Sequence, residues 1–318
     1  RHAHDGVQRR TRLASLDARD GSRGETGCLA KAALRHAAHA ALVEAVVAID
    51  AGCLHTGCEV RHVDSRADGV GVTLADGTVI EADWLVGADG IHSRVRAELM
   101  GPDRPNFTGY VAWRGLIPGE LVDPALLDPP LCMTIGPRRM LMRYPLRRGA
   151  LVNFVAISQR TAWMEEGWSV RSEKHELLDE FADFETHTLQ LLALTPADRL
   201  FKWGLFDRDP LSGWTRGRAT LLGDSAHAMP PFTGQGAVMA LEDAAILGRA
   251  AAATTDPDEL MRRYEAARLP RVTAALLMSR ARSELYFADD PMQQVRALGA
   301  GMAELRTLYD YDAATVPV

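Results

Sequence analysis

One sixteen-residue stretch constrains this chain more than any other: Leu221-Leu222-Gly223-Asp224-Ser225-Ala226-His227-Ala228-Met229-Pro230-Pro231-Phe232-Thr233-Gly234-Gln235-Gly236. The apolar run 219–222 reads as a short buried strand. It delivers an aspartate at its carboxyl end, where open α/β sheets bind ligands. Two successive prolines fix φ and stiffen the loop, and Gly234 and Gly236 let backbone amides approach a flat ligand closely. A helix starting near Gly236 directs its partial positive end at whatever lies there. A strand–loop–helix corner that needs glycine for geometry alone would share any one of these features. Together they favour a bound cofactor, with Asp224 for ribityl or ribose hydroxyls and bare amides for an electron-accepting ring.

The rest of the chain supplies the setting. Residues 32–49 are Ala-rich with apolar residues at helical spacing, and Gly52 stops that helix. Runs 59–64, 70–75 and 78–82 alternate or are β-branched, and Asp76-Gly77 between two of them is a hairpin signal. Trp84-Leu85-Val86 is apolar on successive positions, as a buried central strand is. It ends in Gly87-Ala88-Asp89-Gly90, and 91–100 reads as a helix. Between 108 and 157, short runs at 110–117, 140–146 and 151–157 are separated by Pro/Gly turns, the pattern of an antiparallel sheet. Helices are expected at 173–184 and 185–194, a strand at 201–206, and helices at 236–253, 257–282 and 291–309.

That order predicts an α/β (α+β) fold: a Rossmann-like cofactor domain at 31–107 and 200–260, an antiparallel-sheet substrate domain inserted at 108–199, and C-terminal helices from 261 to 318. Residues 1–30 follow neither hydrophobic period and form a separate, poorly defined segment. A net charge of −6 without a basic stripe argues against a nucleic-acid partner. No apolar run approaches the ~18 residues of a spanning helix. Cys28, Cys53, Cys58 and Cys132 form no Cys-x-x-Cys pair, so reduced thiols in a cytoplasmic protein are expected rather than a metal site.

The stretch from Gly223 to Ala237 resembles the second flavin motif of the class A flavoprotein monooxygenases, the para-hydroxybenzoate hydroxylase family. Asp83-Trp84-Leu85-Val86-Gly87-Ala88-Asp89-Gly90-Ile91-His92-Ser93-Arg94-Val95-Arg96 is similar to the Asp-Gly motif of the same family. A weaker likeness lies in Arg35 to Leu42, which resembles a helix whose arginine reaches FAD. Within the family, Gly109-Tyr110 through Trp113-Arg114-Gly115 and the Leu285-Tyr286 segment are most similar to salicylate, 6-hydroxynicotinate and 3-hydroxybenzoate hydroxylases. The chain departs from the pattern in one respect. The Gly-x-Gly-x-x-Gly of the opening βαβ unit does not occur here, which implies a fold truncated at its N-terminus.

The resemblance implies FAD as cofactor, NADH or NADPH as co-substrate, and hydroxylation of a phenolic or heteroaromatic acid with O2 by a monomer or homodimer. Two alternatives are a tailoring hydroxylase for a larger polyketide-type substrate and a flavin-free binding module of the same fold. It further implies that Arg35, Asp89, Gly90, Gly223, Asp224, Pro231 and Gly234 line the cofactor. The amides of Gly236, Ala237 and Val238 would then meet the pyrimidine edge of the flavin ring. The Pro231 carbonyl would face the substrate, and Tyr110, Arg114 and Arg208 are candidates to orient it. Asp89 has an equally good reading as the cap of the helix that follows it. His227 reads as a hydrogen-bonded structural residue, and Glu242-Asp243 as anchors of their helix rather than reactive groups.

Overall fold

The computed structural model describes residues 29–163, 170–290 and 307–318, with the backbone alone for 29–38. Helix α1 (Leu29–Ile49) opens the described chain and stays largely exposed along its visible face. Three strands follow, β1 (Val60–Ser65), β2 (Val70–Leu74) and β3 (Val79–Ala82), as an antiparallel sheet in that order. Asp76-Gly77 makes the β2–β3 turn: Gly77 takes φ 85°, and Asp76 Oδ1 accepts the Thr78 amide at 2.9 Å. Next come β4 (Leu85–Gly87) and α2 (Arg94–Met100).

The inserted sheet begins with β5 (Asn106–Pro118), then β6 (Cys132–Gly136), β7 (Arg139–Leu146), β8 (Leu151–Gln159) and β9 (Val170–Arg171). Helices α3 (Lys174–Glu180) and α4 (Thr186–Ala193) precede β10 (Leu200–Asp207). The six strands are antiparallel in the order β6-β7-β8-β5-β10-β9. β10 runs beside β5, with Trp203 opposite Ala112, so this strand belongs to the inserted sheet. The domain boundary expected at residue 200 therefore moves past Asp207.

β11 (Ala219–Leu221) and the four-residue helix α5 (Asp224–His227) lead into α6 (Gly236–Ala253) and α7 (Pro257–Tyr286). α7 continues four residues beyond the expected 282 and carries Pro270 in its interior. The helix expected at 291–309 falls mostly on residues outside the described ones. Only 307–309 are seen, and they are helical.

Alternation along β5 separates two cores. Val111, Trp113 and Ile117 pack with Phe154, Phe181, Leu191 and Leu192 beneath α3 and α4. Tyr110 and Ala112 point to the opposite face, where they join Met140, Ile157, Trp203 and Phe232. Trp113 is thus core, with its Nε1–H donated to Ser172 Oγ at 3.0 Å. Gly115 is required by packing, since a Cβ there would lie 2.1 Å from the Phe154 ring. The third core joins β2, β4 and β11 to α6 and α7.

Candidate functional site

β4 and β11 are parallel neighbours, with Leu85 opposite Ala219 and Gly87 opposite Leu221. The turns that follow them therefore emerge at the same sheet edge. They are fastened together there. Ser225 Oγ donates to the Gly87 carbonyl at 2.6 Å, and buried Arg96 donates to the carbonyls of Ser225 (3.1 Å) and Ala226 (3.0 Å).

Gly223 takes φ 66°, ψ −142°, a conformation that L side chains avoid. Its carbonyl accepts the amides of Ala226 and His227, closing the turn that projects Asp224. Asp224 is exposed and makes no hydrogen bond or ion pair with any described residue. The loop continues through a short 3-10 turn, Pro231–Thr233, capped by Gly234 at φ 69°. The Pro230 carbonyl accepts Ser279 Oγ–H at 2.6 Å, so this part of the loop is held to α7. The Pro231 carbonyl accepts the Gly234 amide at 3.0 Å, which engages one of its two lone pairs within the turn.

The amides of Gly236, Ala237 and Val238 are the first donors of α6 and precede its first internal bond, Met239 to Gln235 at 2.8 Å. None of the three meets an acceptor among the described residues. The space before them is open: a Cβ on Gly234 would meet nothing within 4 Å, and one on Gly236 only Met229 Cγ at 3.9 Å. Glycine at these positions is not demanded by neighbouring protein atoms. Thr233 Oγ1 and Gln235 Oε1 are buried without partners in the same loop. Open glycines, unpaired amides and a free carboxylate fit a flat ring carrying a polyhydroxyl tail.

The second turn shows the capping role of Asp89. Its carboxylate accepts Ser93 Oγ–H (2.5 Å) and the amides of Arg94 (2.7 Å) and Val95 (3.1 Å), capping α2. Gly90 takes φ 79°, as the turn requires. Arg208 leaves the list of substrate-orienting candidates. It is 3% exposed, its Nε donates to the Ile91 carbonyl at 2.9 Å, and its Nη1 lies 2.5 Å from Asp103 Oδ1. Asp103 also receives Arg96 at 2.9 Å. Burial raises the Asp103 carboxyl, but hydrogen bonds from Arg96 and Arg208 outweigh it and hold the group below its ordinary range. The side chain of Arg35, on α1, lies outside the described residues.

A buried ionic network stands behind the loop. His227 Nε2 lies 2.6 Å from Asp243 Oδ2, and the Gly223 amide donates to the same oxygen at 3.0 Å. Arg268 bridges Asp243 Oδ1 and Glu242 Oε2, both at 2.7 Å, and Arg271 pairs with both oxygens of Glu242. Tyr311 lies under the Arg271 guanidinium at 3.7 Å. Burial pushes the Asp243 carboxyl up, yet His227 and Arg268 prevail and keep it low. His227 is structural, as expected, and Asp243 positions the Gly223 turn.

Opposite the loop stands the inserted sheet. Tyr110 packs edge-on to Phe232 (5.4 Å between ring centroids) and against Phe287 (4.4 Å), and Tyr286 closes on Phe232 at 6.2 Å. Arg114 shares this face. Sequence reasoning missed the reach of Arg96, Asp243 and Arg268. Arg268 had a signal: it is a cation inside the apolar stripe Leu260, Tyr264, Val272, Ala275 and Leu276 of α7. Among the described residues no His/Cys/Asp/Glu cluster could hold a metal, and no helix is long and apolar enough to cross a membrane.

Comparison with known proteins agrees with this geometry. Residues 28–279 match the family described as FAD binding domain. The chain is 39% identical over 269 residues to the 3-amino-4-hydroxybenzoate 2-monooxygenase PtmB3 of Streptomyces platensis, covering 81% of this chain and 67% of that one. It is 36% identical to the 6-hydroxynicotinate 3-monooxygenase of Bordetella bronchiseptica, over 77% of this chain and 64% of the relative. The chain thus spans about two thirds of the length of the curated relatives it matches. A solved salicylate hydroxylase substrate complex superposes with a TM-score of 0.75 at 28% identity, covering 89% of this chain and 75% of that one. On the two turns, the free amides of α6 and this similarity, the chain belongs to the FAD-binding family of flavin-dependent aromatic monooxygenases.

Proposed function

We propose that this protein hydroxylates a phenolic or heteroaromatic acid, using FAD, NAD(P)H and O2. The observation that carries the reading is the row of unpartnered amides at Gly236, Ala237 and Val238, set across from an aromatic-lined sheet face. When bound, FAD supplies the redox and oxygen chemistry, which no side chain can perform. The protein's own share is placement and electrostatics. Asp224 and the Gly223 turn would hold the hydroxylated tail, and the open space at Gly234 would leave room for the ring. The three amides, at the positive end of α6, would offer hydrogen-bond donors to an electron-accepting ring held there. Tyr110, Phe232, Tyr286 and Phe287 form an apolar wall that keeps water from the reacting face. The relatives' named substrates, an aminohydroxybenzoate and a hydroxynicotinate, supply the substrate class.

Two measurements test this. Purified protein titrated with FAD should show flavin absorbance shifts, and hydroxybenzoates should stimulate NAD(P)H oxidation by the loaded protein. Asp224→Ala should weaken FAD binding about tenfold or more, the worth of hydrogen bonds to a charged acceptor. Its melting temperature should stay within about 2 °C of wild type, because the side chain is exposed and holds no described partner. A purified chain that takes up no flavin would support the binding-module alternative and end the proposal. Unchanged FAD affinity in the variant would remove Asp224 from the site.

A further inference from the structure

The stretch Leu308-Tyr309-Asp310-Tyr311-Asp312-Ala313 is held from two sides against the helices that stand behind the cofactor loop. Arg271 Nη2, on α7, donates to the Leu308 carbonyl at 2.9 Å, and Arg249 Nη1, on α6, donates to the Ala313 carbonyl at 2.8 Å. Leu308 is 5% exposed and joins the core of β2, β4, β11, α6 and α7, with Ala313, Val316 and Val318 packed at its margin. Asp312 shapes the turn between them by accepting the Ala314 amide at 2.9 Å. Two long side chains from different helices are ordered on main-chain oxygens of this one segment, which fixes it in place.

So fixed, the segment sets Tyr311 over a pair of cations. Its ring centre lies 3.7 Å from the Arg271 guanidinium carbon and 5.5 Å from that of Arg268. Tyr309, two residues earlier, is 63% exposed by contrast. Burial alone would lower the Arg268 pKa, but the charge of Asp243 and hydrogen bonds with Asp243 and Tyr311 raise it. From Arg268 the contacts run inward without a gap. Its Nε meets Asp243 Oδ1 at 2.7 Å, and Asp243 Oδ2 accepts the Gly223 amide at 3.0 Å. A glycine has no side chain to hold its backbone, so this bond restrains the turn from behind. Arg268 and Asp243 are fully buried, while Arg271 and Glu242, the outer pair, keep a little exposure. The Tyr311 ring lies over that outer layer, where water would otherwise reach the network. Keeping water out strengthens each ionic contact inside.

Resting on the reading of the Gly223 turn as part of the flavin seat, we propose that Tyr311 is a positioning residue for FAD. It shields Arg268 and Arg271, Arg268 holds Asp243, and Asp243 fixes the turn that presents Asp224. The segment 307–318 thereby sets the geometry of a cofactor turn distant from it in sequence. The coupling is carried by a continuous run of packed and hydrogen-bonded groups.

The test compares Tyr311→Ala and Tyr311→Phe in the full chain, with Tyr309→Ala as the control. Amide hydrogen exchange of the FAD-free protein is followed peptide by peptide, and FAD affinity is titrated separately. In Tyr311→Ala the peptide spanning 221–228 should exchange about tenfold faster, while the β1–β3 sheet and the β7–β8 hairpin exchange as in wild type. FAD affinity should fall about fivefold. Tyr311→Phe keeps a ring over Arg271 and should recover most of both effects. In an Asp224→Ala background, Tyr311→Ala should weaken FAD binding by less than about twofold more, because the group that it positions is already gone. A tyrosine that only stabilised the fold would speed exchange throughout, and its effect on FAD affinity would be the same with or without Asp224. Either of those results overturns the proposal. So does an unchanged 221–228 peptide, an unchanged FAD affinity, or a Tyr309→Ala that behaves like Tyr311→Ala. Should Tyr311→Ala not fold, Tyr311→Leu takes its place and is held to the same outcomes. A wild-type chain that takes up no FAD would strike the flavin reading instead. The exchange comparison, made without FAD, then still decides whether Tyr311 governs the turn.

Discussion

Arg268→Met is expected to lower folding stability by about 3–5 kcal/mol, the cost of removing one partner from a buried ion pair. Arg268 and Asp243 are both fully buried and meet at 2.7 Å, and the same arginine also holds Glu242. Methionine fills much of the volume but leaves the Asp243 charge with His227 and one amide. The pH dependence has a definite sign. The Asp243 carboxyl is held below its ordinary value in the folded chain, so its contribution is present above the unfolded carboxylate pKa of about 4. It is lost as pH falls through the folded value. Without Arg268, burial acts with less opposition and the folded pKa rises. Acid unfolding should therefore begin at higher pH. Urea titrations at pH 7 and pH 5 would show it, and a variant as stable as wild type at both would mean that the network holds nothing together.

Gly236→Asp should separate stability from function. A Cβ at this position has open space, and a carboxylate on the first turn of α6 gains roughly 0.3–1 kcal/mol from the helix dipole. The same carboxylate would occupy the space before the amides of Ala237 and Val238 and repel an electron-rich ring edge. FAD affinity should fall about 100-fold or more, while the melting temperature holds or rises. Thermal melts paired with FAD titration read both at once. A variant that binds FAD like wild type would show that these amides face something other than the ring.

Much of the fold was legible because local chemistry and tertiary role coincide in it. Asp76-Gly77 dictates its turn whatever surrounds it, and the run from Leu221 to Gly236 carries its own glycines, prolines and helix start. The same holds for α3 and α4, where apolar spacing alone places the helices to within a few residues. What escaped depends on partners distant in sequence. β10 looks the same whether it closes the cofactor domain or joins the inserted sheet, and only its register beside β5 decides. Arg208 and Arg114 are both arginines next to aromatic or acidic residues in sequence. The first is tied to Asp103, while the second meets no carboxylate among the described residues. No local pattern distinguishes them. Asp89 was ambiguous for a different reason: a capping aspartate and a cofactor-binding one occupy the same place at a strand-to-helix turn, and its three bonds to Ser93, Arg94 and Val95 show that it caps.

The neighbours Trp113 and Arg114, pointing to opposite sides of β5, also bear on how the chain reaches its native state. Slippage of β5 by one position would thrust a guanidinium among Phe154, Phe181 and Leu192 and strand an indole on the other side. Such an arrangement is electrostatically intolerable, so mispaired intermediates should be short-lived. Arg114 would thus act as a proofreader of strand alignment, rejecting the wrong register while the sheet assembles.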